Sequence, residues 1–152
     1  MFLALGAMAL FLQPTMANVS VNPVDGSDGQ TLEGSWIVEV SMSLPGFPSS
    51  FTALETYSRG GGIVTSNDLP VAAVPKPGQG EWEKNGKAYS VVIQFFTFDT
   101  TGVVSGTIYV SHTITLDGKD SYSGIGQAKF YDLSGNLLLT GGFTTSGKRL
   151  SP

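Results

Sequence analysis

The sequence has no cysteine and a single histidine in 152 residues. Without thiols there is no disulfide, no thiolate metal site and no cysteine nucleophile. One imidazole leaves few ways to build a metal centre or a histidine-based triad, so no metal and no cofactor is expected. Charge is also scarce. Asp, Glu, Lys and Arg make up 13% of the chain, about half of the ~25% usual in soluble proteins, which argues against a charge-laced coiled coil or helical bundle. The net charge of −4 supplies no basic face for nucleic acid. What is plentiful is glycine, with 20 residues, and aromatic side chains, with 9 Phe, 5 Tyr and 2 Trp. A hydrophobic content of 41% is that of a folded chain rather than a disordered one. The length fits one domain.

Residues 1–17 read MFLALGAMALFLQPTMA, an uncharged apolar run followed by Pro14 and the small residues Thr15 and Ala17. This spacing predicts a signal peptide cleaved after Ala17, and hence export to the periplasm or the extracellular space. The apolar stretch Phe2 to Leu12 is shorter than the ~18 to 20 residues that span a bilayer, so no stable membrane anchor is expected. Residues 18–33 are rich in Gly, Asp, Ser and Asn and read as a linker. Within them, Asp25-Gly26-Ser27-Asp28-Gly29 lacks the glutamate that would complete a calcium loop. The domain proper is expected over residues 34–150.

There, Trp36, Val38, Val40 and Met42 alternate with Ile37, Glu39, Ser41 and Ser43, the period of a half-buried strand. Further strands are expected at Phe51 to Tyr57, Ile63 to Ser66, Glu81 to Lys84, Lys87 to Phe98, Val103 to Leu116, Ser121 to Tyr131 and Asn136 to Thr145. Asn85-Gly86 marks a tight hairpin, and the proline-bearing stretch Leu69 to Gly80 marks a long loop. Phe98-Asp99-Thr100-Thr101-Gly102 and Tyr131-Asp132-Leu133-Ser134-Gly135 repeat one pattern: aromatic, Asp, any residue, hydroxyl, Gly. Asp caps turn N–H groups and Gly supplies positive φ, so turn chemistry accounts for both carboxylates better than acid–base catalysis does. A meander of eight strands with hairpin-length connections removes its edges by closing, which predicts an all-β, eight-stranded antiparallel up-and-down barrel.

Gly142 to Lys148 spells G-x-x-x-x-G-K, but no helix follows to present its N-terminus to a phosphate, which excludes a nucleotide loop. His112 shares its strand parity with Ile108, Val110 and Ile114 and should point inward. There it is a satisfied core group or a ligand contact. Tyr122, Gly124, Gly126, Ala128 and Phe130 share one face, with small residues between aromatic ends, which gives either internal space or a filled core with close backbone approach at the glycines. Both faces of Tyr89 to Phe98 are apolar, so its register stays open between the Phe95 and Phe96 sets.

Gly34-Ser35-Trp36 at the start of the first strand and Arg149 after the last resemble the calycin superfamily of lipocalin-like barrels, including short exported bacterial proteins of this type. In that family a G-x-W closes one barrel end and an arginine from the far terminus packs over the tryptophan; the resemblance implies these roles for Gly34, Trp36 and Arg149. The middle T-D-x-Y motif, C-terminal helix and disulfide of true lipocalins are absent from this sequence. The allene oxide cyclase barrels are similar in topology, which keeps a cyclase or isomerase reading open, with His112 and Glu55 as acid–base candidates.

Three functions follow as expectations. The first is an exported barrel binding a small, mostly apolar molecule, with Phe95, Phe96, His112, Ile114, Tyr122, Gly124, Gly126, Phe130 and Phe143 as ligand contacts. Such a guest would carry one polar handle, as a fatty acid, terpenoid or aromatic metabolite does. The second is a filled-core protein acting through its loops, above all Leu69 to Gly80. The third is the barrel cyclase or isomerase.

Overall fold

The alternation that marks the first strand runs around the whole domain. In the computed structural model, which describes residues 30–69 and 77–151, the elements are β1 (Gly34–Met42), β2 (Ser50–Tyr57), β3 (Gly62–Asn67), β4 (Gly78–Asn85), β5 (Ala88–Phe98), β6 (Val104–Leu116), β7 (Ser121–Asp132) and β8 (Leu137–Arg149). Each pairs antiparallel with its sequence neighbour, and β1 pairs with β8 from Trp36↔Arg149 to Met42↔Phe143, so the sheet closes. The protein is therefore an all-β, eight-stranded up-and-down barrel, with no helix among the described residues. Residues 1–17, nearly all of 18–33 and most of the long loop lie outside the described residues, and with them the expected signal peptide and the Asp25 loop.

Two strands run further than their sequence pattern indicates. β8 ends at Arg149 rather than Thr145, because Gly147 pairs with Val38 on one side and Tyr122 on the other. The G-x-x-x-x-G-K segment is thus strand throughout. β4 begins at Gly78, inside the expected loop, where it pairs with Thr65.

The register of β5 is fixed by its neighbours. Tyr89, Val91 and Ile93 are buried and Phe95 packs against the core, whereas Val92 and Phe96 face outward, Phe96 being 59% exposed. The expectation that Phe96 contacts a ligand is thereby corrected. An isolated β5 pattern, apolar on both faces, holds no information on which face meets the interior.

The repeated turn motif forms the same structure twice. Asp99 Oδ1 accepts hydrogen bonds from the Thr101 and Val103 N–H groups at 2.8 and 3.0 Å, and Asp132 Oδ1 from those of Ser134 and Asn136 at 2.9 and 2.8 Å. The Thr101 hydroxyl and the Asn136 amide add side-chain donors, and the two carboxyls titrate below the ordinary aspartate range on that account. Gly102 and Gly135 take φ of 83° and 82°, and the strand after each turn carries one extra residue in the ladder, Ser105 and Leu138. A Cβ at Gly135 would meet no atom within 4 Å, so replacement by alanine isolates the backbone cost. Gly135→Ala should lose about 1 to 2 kcal/mol in urea unfolding; an unchanged midpoint would show that the turn relaxes out of the left-handed region.

One end of the barrel is sealed. Leu32, Trp36, Tyr57, Ile114 and Tyr122 are all fully buried there. The Arg149 guanidinium lies 4.2 Å from the Trp36 ring centroid, and the Tyr122 ring tilts against the same indole with centroids 5.0 Å apart. Cation–π attraction alone is modest at a partly open site. Arg149 does more by tying chain segments together: it donates from Nη1 to the Glu33 carbonyl, from Nη2 to the Thr31 carbonyl and from Nε to the Lys119 carbonyl. Trp36 Nε1 donates to the Leu32 carbonyl at 2.9 Å. The packed structure therefore includes Thr31–Leu32, ahead of the first strand.

Candidate functional site

Sealing of the Trp36 end by large side chains leaves the other half of the interior less filled. A partly open cavity of about 80 Å³ lies there. Its opening faces the end that carries the β1–β2 and β3–β4 connections, since Phe47 and Leu69 of those connections line it. The walls are mainly apolar: Val40, Met42, Phe51, Ile93, Phe95, Ile108, Val110, Phe130 and Phe143 contribute, with Ala53 and Ala128 where little side chain projects. Inward alternation on six strands supplies them. Phe47 closes over one side through its ring contact with Phe130, at 5.3 Å.

Five polar residues interrupt this lining: Glu55, Thr65, Asn67, His112 and Thr145. Glu55 occupies an inward position of β2, between Ala53 and Tyr57 on the same face, and is only 6% exposed. Its Oε2 accepts hydrogen bonds from the Tyr57 hydroxyl at 2.5 Å and the Tyr122 hydroxyl at 3.0 Å. Burial raises the Glu55 pKa above the ordinary range while the two phenols act in the opposite sense, and the net shift is upward. Burial likewise pushes both phenols up, with Glu55 adding to it, so they remain protonated donors.

His112 is buried on β6 and its Nε2 lies 2.8 Å from the Thr145 hydroxyl, with the Phe143 ring tilted against the imidazole at 5.4 Å. Burial alone lowers its pKa to about 4. It is neutral at physiological pH, with one ring nitrogen a donor and the other an acceptor. Glu55 and His112 face one cavity but bond to different partners, so they do not form a carboxylate–imidazole dyad. Among the described residues no group of three His, Asp or Glu side chains could hold a metal ion.

Of the ligand contacts expected from sequence, Phe95, His112, Phe130 and Phe143 line this cavity. Ile114 and Tyr122 are inward but sit in the filled floor, where Tyr122 serves as a donor to Glu55. Gly124 and Gly126 correct the expectation of free space. A Cβ on Gly124 would fall 2.2 Å from His112 Nε2, and one on Gly126 would fall 2.2 Å from the Phe143 ring. The room that these glycines leave is already taken by the side chains of the adjacent strands, so they position His112 and Phe143 rather than a guest. Sequence reasoning missed Tyr57, Thr65 and Thr145. Their signal was inward parity beside apolar neighbours, which hydroxyl residues on a strand display without indicating partners. No family model matches this sequence, and no curated protein matches it.

Proposed function

We propose that the protein is an exported, lipocalin-like barrel of calycin type that binds a compact, mostly apolar molecule inside the barrel. The observation that carries this reading is the partly open cavity with aliphatic and phenylalanine walls and a few fixed polar groups, the composition of small-molecule sites in barrel mouths. Its volume narrows the guest. About 80 Å³ is well below the ~300 to 1,000 Å³ of drug-sized pockets and smaller than the ~150 Å³ engineered cavity that takes up benzene. A whole fatty acid therefore fits poorly, and a guest of a few heavy atoms, or the end of a longer one that projects through the mouth, fits better. The G-x-W and Arg149 pair, in contact at the sealed end, supports the calycin relationship. Export rests on the apolar segment of residues 1–17.

Xenon tests the reading, because apolar cavities of this kind take it up. Methyl resonances of Val40, Ile93, Ile108 and Val110 should shift saturably under xenon pressure, and Ala128→Leu, which grows a side chain into the cavity, should weaken the effect by about tenfold. The absence of any saturable shift in the parent protein would overturn the reading.

A second reading, contact with a macromolecular partner, draws on the β7–β8 hairpin. Leu133, Leu137 and Leu138 are 71%, 56% and 65% exposed at the rim of the open end, and clustered exposed apolar side chains mark interaction sites. Partner capture that survives Ala128→Leu but not replacement of these leucines by serine would favour it.

A further inference from the structure

Glu55 is the one acidic side chain among the described residues of the cavity wall, and one of its two oxygens is unused. Both phenols converge on Oε2, while Oε1 makes no hydrogen bond to any described residue. No sealed polar side-chain atom lacks a partner among those residues, so Oε1 is not enclosed by protein. It reaches the cavity that Glu55 lines. With its companion oxygen already accepting two donors, Oε1 is the atom left for a guest.

Among the described residues no lysine or arginine lines the cavity to balance this carboxyl. His112 cannot do so, since burial holds it neutral until about pH 4. The phenols of Tyr57 and Tyr122 stay protonated and contribute no charge. The 2.5 Å Tyr57–Glu55 contact lies in the range of a hydrogen bond to an ionised oxygen, yet burial opposes ionisation. An ionised Glu55 in such a place calls for a cation brought in from outside, since no charge of the described wall offsets it. Around it stand five phenylalanines, Phe47, Phe51, Phe95, Phe130 and Phe143, whose ring faces attract positive charge and whose bulk excludes water. An anionic guest would meet repulsion from Glu55 and no compensating donor charge.

We propose that the cavity selects a compact organic cation, a small amine whose ammonium group pairs with Glu55 Oε1 while its hydrocarbon body lies among the phenylalanines. This rests on the hollow-barrel reading and specifies its guest. Tyr57 and Tyr122 act as positioning residues, fixing the carboxyl so that one oxygen is presented. The pairing is an ion pair inside an apolar site, so it discriminates strongly against neutral isosteres of the same shape.

Three branched four-carbon probes decide the matter: isobutylamine, isobutanol and isobutyramide, titrated into the full protein by calorimetry near pH ~8, where the amine is still protonated. Isobutylamine should bind at least about tenfold more tightly than isobutanol, and in Glu55→Gln that preference should shrink to within about threefold while isobutanol affinity is retained. If the variant fails to fold, the comparison on the parent protein decides alone. Equal affinity for amine and alcohol overturns the proposal but leaves the hollow barrel standing. Preference for isobutyramide also overturns it, since Glu55 would then be a neutral acid donating to a carbonyl. Binding of none of the three, together with no xenon response, removes the hollow-barrel reading as well.

Discussion

Trp36→Ala should lower the free energy of unfolding by about 3 to 5 kcal/mol, the range for truncating a large buried aromatic residue to alanine. Trp36 is completely buried at the sealed end, and three independent contacts end with it: the indole donation to the Leu32 carbonyl, the Tyr122 ring contact and the Arg149 guanidinium. The void would lie at the junction of the two chain ends, where β1 meets β8 and Thr31–Glu33 crosses beneath. Since a domain of this size has about 5 to 15 kcal/mol in all, the variant should unfold at markedly lower urea concentration. Arg149→Ala should cost less, because the guanidinium is partly solvated and its 3.4 Å ion pair with Asp120 is exposed. A Trp36→Ala loss smaller than that of Arg149→Ala would mean that the clamp, not the indole, holds the barrel floor.

The second large effect concerns acid. His112 has a folded pKa of about 4 against an ordinary 6.5. A depressed folded pKa contributes stability that is complete above the unfolded value and is lost as pH falls through the folded one, because the unfolded chain takes up the proton first. The shift corresponds to about 3 kcal/mol lost between neutral pH and pH ~4. Glu55 acts in the opposite sense. Its folded pKa is raised, so its contribution is complete below the ordinary glutamate value and is lost as pH rises through the folded value. The two buried groups therefore tilt the stability curve in contrary directions, and only removal of one reveals the other. In His112→Gln, where an amide can still meet the Thr145 hydroxyl, the acid-side loss should shrink by about 3 kcal/mol relative to the parent protein. Urea unfolding at a series of pH values checks this; parallel curves for parent and variant would place the imidazole proton elsewhere than the buried cavity wall.

Local pattern was enough for much of this molecule. The alternation of Trp36, Val38 and Val40 specified a strand and its inner face, because strand side chains alternate whatever the partner is. The two Asp-containing turns were legible because their hydrogen bonds close within five residues. The contact of Trp36 with Arg149 was expected through the resemblance of Gly34-Ser35-Trp36 and Arg149 to the calycin pattern, and closure of β1 on β8 brings the two together.

Tertiary structure decided what fills the interior. Parity placed Gly124 and Gly126 inward and left their space unassigned; His112 and Phe143, projecting from β6 and β8, occupy it. The apolar run of β5 carried no preference between Phe95 and Phe96 until pairing with β4 and β6 fixed its faces. Glu55 entered the sequence reading only as an acid–base candidate beside His112. Its second phenol comes from Tyr122, 67 residues further along the chain, and nothing local to either residue encodes that contact. A strand pattern determines the direction of each side chain, but the volume in front of it is shared with chains across the barrel, and only closure determines which side chain takes that volume and which atom, such as Glu55 Oε1, is left facing open space.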